Sequence, residues 1–397
     1  MPIVVQKYGG SSVADVEKLR RVAQRVQRTR EQGHQVVVVV SARGDTTDEL
    51  LALARQVSAD PPRRELDMLL TCGERISMAL LSMALQEMGV PAISFTGSQS
   101  GIITDDVHSQ ARIVEVRPHR IEEELARGQV VIVAGYQGVS IRREVTTLGR
   151  GGSDTTAVAL AAALGAEACE IYSDVDGIFS ADPRVVPDAR KLDSLSYEEM
   201  QELASAGAKV LNSQAVEFAR ARGIVIHART AHAQGTGTRV REAAAHDTGV
   251  KGVTAEGDMA VLSAEGGPGT VARLLEFLDT RAVRGRALAF DGLWGREGRA
   301  FIAVPLQDVH GLQALQRELG EHFGSAAVLC EEVGAVTAVG VGINADWSHL
   351  RRALGAAEQL GARVHAVHTS PLQLTLLVDK EHLKALTSCL HREFLGA

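Results

Sequence analysis

The feature that most constrains the fold is the alternation of short apolar runs with helical patterns over residues 1 to about 230. Between the first two runs, Val13, Val16, Leu19, Val22 and Val26 recur at helical spacing. The run at 36–40 is all valine, which suits a strand buried on both faces. The predicted strands are Ile3–Gln6, Val36–Val40, Pro91–Phe95, Gln129–Ala134, Cys169–Ser173 and Gly223–Ala228. This order predicts an α/β fold, with a mostly parallel sheet between two layers of helices and ligands at the carboxyl ends of the strands.

The second half of the chain has a different pattern of strands, helices and turns. A Gly- and Thr-rich stretch from Gly235 to Gly252 indicates a linker. Two similar strand–helix–strand–strand–helix patterns follow it, which predicts a tandem pair of small α+β modules. We therefore expect a first domain over 1–241, a linker over 242–251, and modules over 252–332 and 333–397.

Charge and cysteine content narrow the class of protein. A net charge of −7 argues against nucleic acid or an anionic membrane as the main partner. Cys72, Cys169, Cys330 and Cys389 form no CxxC pair, so reduced thiols are expected rather than a disulfide framework or a zinc site. The thirteen histidines include no HExxH pair, and no protein-held metal is predicted. No signal-peptide pattern and no apolar run of membrane-spanning length is apparent, so we expect a cytoplasmic protein.

The first candidate for chemistry is the segment Lys7 to Ser12, KYGGSS, at the end of the first predicted strand. Gly9 and Gly10 let the main chain approach a ligand, the following helix start is partly positive, and Lys7 adds a full charge. Together these features suit a phosphate. A tight turn with a solvated lysine is the alternative, and this motif alone does not exclude it.

A second glycine-rich motif precedes another helix. Leu148 to Thr156 reads LGRGGSDTT, which indicates an anion-binding turn. Arg150 offers a planar fork suited to a carboxylate, whereas Asp154 could simply cap the helix. A turn this rich in glycine and charge favours a functional role.

The remaining motifs are weaker individually. Ser173 and Asp174 follow a strand, but a solvated turn is an equally good interpretation. Lys209 could lie on a solvated helix face, and Glu74 could pair with an arginine. Ser41 and Thr47 follow the all-valine strand. Asp182 and Arg184 follow Phe179 in a loop that contains glycine and proline.

The order of these motifs resembles one family. KYGGSS, VSA, GERIS, TTLGRGGSDTTA, YSDVDG, DPR and GAKVL occur in sequence as in the aspartate kinases, over Met1 to about Arg241. The resemblance is to the branch with two C-terminal ACT modules. It implies an amino-acid kinase fold, an αβα sandwich, followed by two ferredoxin-like βαββαβ modules, and association of copies through those modules.

The resemblance also assigns roles to residues. It implies catalytic roles for Lys7, Asp154 and Lys209, with Asp154 orienting Lys7. It implies that aspartate is bound by Ser41, Thr47, Glu74, Arg150 and Ser153, with Arg150 on the α-carboxylate and Glu74 near the α-amino group. The implied ATP-binding residues are Lys7, Tyr8, Gly9, Gly10, Ser173, Asp174, Phe179, Asp182, Arg184 and Lys209.

The implied reaction is transfer of the ATP γ-phosphoryl group to the side-chain carboxylate of L-aspartate, giving 4-phospho-L-aspartate, the first step towards lysine, threonine and methionine. A carboxylate with a pKa near 4 is already ionised, so no general base is needed. Positive groups and Mg²⁺ carried by ATP must offset the repulsion between the two anions. Two alternatives remain: a specialised kinase for a different acidic amino acid, and a non-catalytic amino-acid sensor.

Three segments depart from the family pattern. Asn212, Ser213 and Gln214 replace a usual His-Pro-Arg string after GAKVL. Ala289-Phe290 stands where the first ACT module usually has Gln-Asn, and Asp346-Trp347-Ser348 where the second usually has His-Pro-Gly. Methyl and phenyl groups cannot replace amide donors and acceptors, so we expect weak or absent inhibition by lysine and threonine.

Overall fold

We describe the fold from a computed structural model of the full chain. The described residues are 1–149, 151–208, 210–231, 235–243, 248–281, 283, 285, 287–290, 298–306, 309, 311–324 and 327–396, with the main chain alone at 287–290, 327, 328 and 331. They form two compact units, each described separately below. Unit 1 comprises Met1–Phe179, Lys191–Ser205 and Lys209–Asp247, and unit 2 comprises Ser180–Arg190, Ala206–Ala208 and Thr248–Ala397.

Unit 1 contains fourteen described strands. In chain order they are β1 Ile3–Tyr8, β2 Gln35–Val40, β3 Ala92–Phe95, β4 Ile102–Thr104, β5 Ile113–Val116, β6 Val130–Ala134, β7 Gln137–Ser140, β8 Val145–Thr147, β9 Ala168–Ser173, β10 Ile178–Phe179, β11 Lys191–Leu192, β12 Ser194–Ser196, β13 Ile226–Thr230 and β14 Thr238–Arg241. Eight of them form one sheet in the order β12-β14-β13-β9-β1-β2-β6-β3, parallel except where β13 meets β14. A four-stranded sheet has the order β5-β4-β7-β8, and β10 pairs with β11.

The helices of unit 1 cover both faces of the large sheet. They are α1 Val16–Glu31, α2 Thr46–Val57, α3 Arg63–Leu70, α4 Cys72–Glu87, α5 His119–Ala126, α6 Gly152–Ala163, α7 Tyr197–Ser205 and α8 Ser213–Arg222. Helices α1 and α4 pack on the face that presents Val36, Val38 and Val40. Helix α6 packs on β1, β2 and β9 from the opposite face, and Gly152 to Ala161 are all buried. The predicted αβα sandwich with a mostly parallel sheet is confirmed.

Most predicted strands are present within a residue or two. The two ends that differ have local causes. Gly223 has φ +66° and ends helix α8, so strand β13 begins only at Ile226 rather than at Gly223. Val13 belongs to a short 3₁₀ turn, Gly10–Val13, and α1 begins at Val16 after Asp15 accepts a hydrogen bond from the Lys18 amide at 2.8 Å.

Unit 2 is built on one six-stranded antiparallel sheet. Its strands are β15 Gly249–Gly266, β16 Ala287–Phe290, β17 Gly298–Pro305, β18 Ala327–Val341, β19 Val364–Thr369 and β20 Gln373–Asp379, in the order β16-β17-β15-β18-β20-β19. Its helices are α9 Pro268–Thr280, α10 Leu312–Phe323, α11 Ser348–Gln359 and α12 Leu383–Leu395. Both strand–helix–strand–strand–helix patterns of the sequence are present.

The two patterns are joined more closely than the sequence indicates. The first half of β15 pairs with the second half of β18, and the second half of β15 pairs with the first half of β18. Each long strand therefore serves both patterns. Gly249 to Lys251, placed in the predicted linker, instead lie in β15.

One helical stretch, Arg63–Glu87, is long and apolar enough to cross a membrane by length and composition, with mean hydropathy 1.4. It comprises α3 and α4, and half of its most apolar window is buried inside the protein. Leu81 and Leu85 of this stretch belong to the core beneath α1. This burial is typical of a core helix in a globular protein.

Candidate active site

Lys7 lies at the carboxyl end of β1, in the middle of the large sheet. Its Nζ is 2.7 Å from Oδ1 of Asp154 in the first turn of α6, and both side chains are about nine-tenths buried, at 12 % and 10 % exposed. Successive residues of a strand point to opposite faces, so Lys7 faces α6 whereas Tyr8 faces α1. The structure therefore brings together two of the predicted catalytic residues, which are 147 positions apart in sequence.

Helix α6 presents its N-terminus to this position. Gly151, with φ +73°, precedes the helix, and Ser153 and Asp154 are buried in its first turn. The N-terminus of a helix is partly positive, so it adds to the field of Lys7 and favours a bound anion. Arg150, predicted to bind a carboxylate, lies outside the described residues.

The loop after β1 fits closely against the loop after β2. A Cβ atom at Gly10 would lie 2.6 Å from the carbonyl oxygen of Ala42, so only glycine fits there. The Gly9 amide donates to the carbonyl of Tyr172 at 3.2 Å, so it is held by strand β9 rather than free for a ligand. The hydroxyl of Ser12 is buried and has no hydrogen-bond partner among the described residues.

Glu74 is a buried carboxyl group beside the same loops. It lies in the first turn of α4, is 3 % exposed, and its Oε1 accepts a hydrogen bond from the Ala42 amide at 3.0 Å. Its Oε2 has no hydrogen-bond partner among the described residues. Burial raises the pKa of Glu74 to about 7, although the hydrogen bond from the Ala42 amide acts in the opposite direction and lowers it. Such a group is well placed to accept a cationic ligand group.

Ser41 and Thr47, the other predicted substrate residues on this side, are half-buried. Ser41 follows β2, and its amide donates to the Tyr8 carbonyl at 3.1 Å. Thr47 lies in the first turn of α2. These positions place both near the carboxyl end of the sheet, where Lys7 also lies.

The predicted nucleotide residues of unit 1 follow β9. The Ser173 hydroxyl accepts from the Val175 amide at 3.2 Å, Asp174 is exposed, and Phe179 is half-buried. Nearby, Lys191 Nζ is 2.9 Å from both Asp176 Oδ2 and Thr236 Oγ1. The Lys191 ammonium lowers the pKa of Asp176.

Asp182 and Arg184 belong to unit 2, and they are exposed. Arg184 binds Asp182 through two nitrogens, with Nη2 to Oδ2 at 2.8 Å and Nε to Oδ1 at 3.0 Å. Lys209, the last predicted nucleotide residue, lies outside the described residues.

Tyr8 has a different setting from the rest of the predicted ATP set. Its ring is fully buried and stacks on Tyr172 with centroids 4.8 Å apart, and its hydroxyl donates to Gln6 Oε1 at 3.2 Å. Burial raises its pKa well above the usual value. The side chain thus lies in the core beneath the site and has no surface for a ligand.

Three residues that were not predicted to belong to the site also shape it. A Cβ atom at Gly135, which follows β6, would lie 2.7 Å from the Ser153 hydroxyl, so this glycine lets α6 approach the sheet. Asn212 caps α8 by accepting from the Gln214 amide at 2.9 Å, and its side chain occupies the space beside Gly151. Lys191 holds Asp176. Asn before a helical pattern is a known capping signal, but its contact with Gly151 has no signal in sequence.

The geometry gathers a buried lysine, a helix N-terminus and a buried carboxyl group at the carboxyl ends of β1, β2, β6 and β9. It can hold one anion at Lys7 and a cation at Glu74. Among the described residues, no group of three or more His, Cys, Asp or Glu side chains is arranged to hold a metal ion.

Comparisons with known proteins show which proteins this chain is similar to. The model of the amino acid kinase family matches residues 2–229. The chain is 44 % identical to the aspartokinase of Mycolicibacterium smegmatis, over 99 % of this chain and 96 % of that protein. It is 42 % identical to the aspartokinase of Thermus thermophilus, over 99 % of each. The fold matches that of E. coli aspartokinase III in complex with aspartate and ADP with a TM-score of 0.85, at 23 % identity over 98 % of this chain and 99 % of the other.

Proposed function

The chain belongs to the amino acid kinase family and, within it, to the aspartokinases, and from this premise we propose how its residues carry out aspartate kinase activity. The reaction transfers the γ-phosphoryl group of ATP to the side-chain carboxylate of L-aspartate. The main structural support for placing the reaction at this site is the ion pair between Lys7, at the end of β1, and Asp154, at the start of α6.

The main obstacle to the reaction is electrostatic. The attacking carboxylate and the γ-phosphoryl group are both negative, and charge spreads over the phosphoryl oxygens during transfer. Lys7 and the N-terminus of α6 supply fixed positive charge in a largely buried position, where it acts more strongly than in water. Asp154 holds the Lys7 ammonium in one direction, so little reorganisation is needed when the phosphoryl group arrives.

The acceptor is held by a second set of groups. We propose that Glu74, in its ionised form, receives the α-ammonium group, since its Oε2 is buried without a partner among the described residues. The hydroxyls of Ser41, Thr47 and Ser153 are polar partners for the substrate carboxylates. Arg150 remains predicted to hold the α-carboxylate.

In the transfer step, an oxygen of the aspartate side chain forms a bond to the γ-phosphorus. The bond between that phosphorus and the bridging oxygen of ADP breaks, and ADP leaves with the electron pair. No proton needs to be removed from the nucleophile, because a carboxyl group with a pKa near 4 is ionised at neutral pH. The products are 4-phospho-L-aspartate and ADP.

ATP is proposed to bind along Gly9, Gly10, Ser173 and Asp174 with its phosphates towards Lys7. We propose that Mg²⁺ enters as the ATP complex, since phosphate oxygens and water are its usual ligands in such reactions. Phe179, Asp182, Arg184 and Lys209 remain predicted nucleotide residues.

The activity is tested by incubating the purified chain with aspartate, ATP and MgCl₂ and trapping the acyl phosphate with hydroxylamine. We expect aspartyl hydroxamate and ADP in equal amounts. A panel of other acidic amino acids under the same conditions tests the specialised alternative. If a different acidic amino acid is phosphorylated faster, that amino acid and not aspartate is the substrate. If the chain binds amino acids without ATP and phosphorylates none of them, it is a sensor.

Three further properties are proposed at the level of the whole protein. Copies of the chain associate through the predicted ACT modules of unit 2. The protein acts in the cytoplasm, where its substrates are made. Its product enters the synthesis of lysine, threonine and methionine. Size measurement by light scattering tests the first of these.

A further inference from the structure

Asp67 is a fully buried carboxylate to which neither the reaction nor the sequence motifs give a role. It lies in α3 and accepts hydrogen bonds from three residues distant in sequence. Its Oδ2 is 2.8 Å from Nδ1 of His108, its Oδ1 accepts from the Thr147 hydroxyl at 2.6 Å, and both oxygens lie 3.1 Å from the Ser109 amide. Burying a carboxylate without hydrogen-bond donors would cost much free energy, and these three donors offset that cost. Because all of them bind the same carboxylate, they form one connected network.

The network lies directly before the glycine turn that leads into α6. Thr147 ends β8, two residues before Gly149, and its carbonyl accepts from the Ala111 amide at 2.9 Å. A Cβ atom at Gly149 would lie 3.4 Å from the Ser109 carbonyl oxygen, so the loop around Ser109 is packed against the turn. The turn continues to Gly152, whose amide donates to Gly149 at 3.0 Å. Asp67 thus fixes both the strand that enters the turn and the loop that covers it.

Two residues with unusual backbone geometry lie beside the same turn. In the part of the chain that the structure describes, Ser109, Tyr136 and Arg143 are the non-glycine residues with positive φ. Ser109, at φ +69°, lies against Gly149 of the turn. Tyr136, at φ +65°, also lies beside it: its carbonyl accepts from the amide of Leu148, just before the turn, at 2.9 Å, and its ring would be 3.0 Å from a Cβ atom at Gly152. Such conformations persist only where surrounding contacts hold them, and here Asp67 holds Ser109.

We propose that Asp67 and His108 are positioning residues for the phosphoryl acceptor: they hold the Gly149–Gly152 turn, and through it the start of α6, in the geometry that receives the amino-acid substrate. This inference rests on the proposed function for the identity of the acceptor. Asp67 and His108 act on the turn and touch neither reactant. Their loss should weaken acceptor binding and leave nucleotide binding nearly unchanged.

The first test uses His108→Ala and His108→Asn. Asparagine can place its amide nitrogen close to the position of Nδ1 and so donate to Asp67, whereas alanine cannot. We expect His108→Ala to raise the KM for aspartate about tenfold, since small misplacements of a positioning group can cost up to about a hundredfold, and to change the KM for ATP less than twofold. His108→Asn should restore the KM for aspartate to within about threefold of the parent.

His119→Ala is the matched control, because His119 is an exposed histidine at the start of α5 whose side chain is 80 % exposed. It should leave both KM values unchanged. Equal increases in both KM values for His108→Ala, or an equally impaired His108→Asn, would overturn the proposal. Asp67→Asn provides a second variant and should show the same split between the two KM values.

A readout that does not depend on the substrate separates this inference from the proposed function. Hydrogen–deuterium exchange of the peptide containing Thr147 to Asp154 should become faster in His108→Ala and return towards the parent rate in His108→Asn. Unchanged exchange refutes the positioning role whatever the acceptor. If the parent chain fails to phosphorylate aspartate but exchange responds as expected, the error lies in the acceptor and not in the positioning.

Discussion

At the scale of single residues, the site depends on Lys7 and its partner Asp154, which are charged, largely buried and 2.7 Å apart. Removing either partner would leave an unpaired charge in a largely buried position, so the two residues depend on each other. Glu74 is different, because no cation among the described residues pairs with it, and its ionised form is stabilised only when a cationic ligand group binds. The two kinds of burial lead to different predictions.

Lys7→Ala should lower kcat for aspartyl phosphate formation by about 10²- to 10³-fold, as expected for the loss of one preorganised charge stabiliser. The hydroxamate assay measures this, with thermal unfolding to show that the variant folds. Lys18→Ala is the control, since Lys18 is a surface lysine of α1 that lies 3.8 Å from Asp15. A kcat for Lys7→Ala within threefold of the parent would remove Lys7 from the mechanism.

Glu74 predicts a pH dependence of substrate binding. With its pKa raised to about 7 in the free protein, Glu74 is mostly protonated at pH 6 and must lose that proton to bind an ammonium group. The KM for aspartate should therefore rise about tenfold between pH 8 and pH 6. Glu74→Gln should have a higher KM that varies little over this range. A parent KM that is constant from pH 6 to pH 8 contradicts the assigned contact.

The same residue affects stability with a defined sign. A carboxyl group whose pKa is higher in the folded than in the unfolded state binds more protons when folded, so stability falls as pH rises from about 4.5 to about 7. The cost at pH 8 is on the order of 3 kcal/mol. Without substrate, Glu74→Gln should raise the apparent Tm at pH 8 and lose that advantage near pH 4.5, as measured by calorimetry.

At the scale of elements, the site depends on how closely loops and helices approach one another. Gly10 and Gly135 let the loops after β1 and β6 lie against their neighbours at distances that no Cβ atom allows. Gly10 therefore acts on the position of a whole loop.

Gly10→Ala should push the β1 loop away from Ala42, because the added Cβ would lie 2.6 Å from the Ala42 carbonyl oxygen. We expect a loss of stability of about 1–3 kcal/mol, typical of overpacking, together with a higher KM for ATP. Gly355→Ala is the control. Nothing lies within 4 Å of a Cβ at this α11 glycine, and alanine there should stabilise by about 0.5–1 kcal/mol. Chemical denaturation and initial-rate kinetics measure both, and a neutral Gly10→Ala would show that the loop is free to move.

Within unit 2, helix α12 is tied to the segment Ser180–Arg190. The Ser180 hydroxyl lies 2.8 Å from His391 Nε2 and accepts from the Arg190 amide at 2.9 Å. Burial lowers the pKa of His391, Arg190 adds to the shift, and Asp188 opposes it. The unfolded state then binds more protons, so this contribution to stability is present above the unfolded pKa and is lost as pH falls.

His391→Gln should flatten that dependence, because the glutamine amide offers Ser180 both a donor and an acceptor but does not titrate. We expect the apparent Tm of the parent to fall more steeply than that of the variant between pH 7 and pH 5. Parallel curves for the two proteins would exclude His391 as the titrating group.

At the scale of the whole molecule, the chain pairs a catalytic unit with a unit built on one continuous sheet. The segment Asp346–Ser348, which departs from the family pattern, leads into α11 and supplies its first residue, and Trp347 there is 78 % exposed. The side chains of Ala289 and Phe290 lie outside the described residues. We predict that lysine plus threonine at low millimolar concentration inhibit the hydroxamate reaction by less than about twofold, because amide donors and acceptors are missing from the sequence. Strong inhibition at those concentrations would show that other groups bind the effectors.

The sequence by itself determined the elements and the residue types of the site. An all-valine run suits a strand buried on both faces, and glycine-rich turns before helices can hold anions, so β2, the β1 loop and the start of α6 were predictable. Local pattern also predicted both strand–helix–strand–strand–helix units.

The tertiary structure alone decided which distant groups meet. It turned Lys7 towards α6 and Tyr8 into the core, a choice that depends on which helix covers each face of the sheet. It placed Ser180–Arg190 in unit 2, merged two predicted modules through β15 and β18, and joined Asp67 to His108 and Thr147. Each of these depends on contacts between segments far apart in the chain, and residue periodicity reports only on neighbours within a few positions.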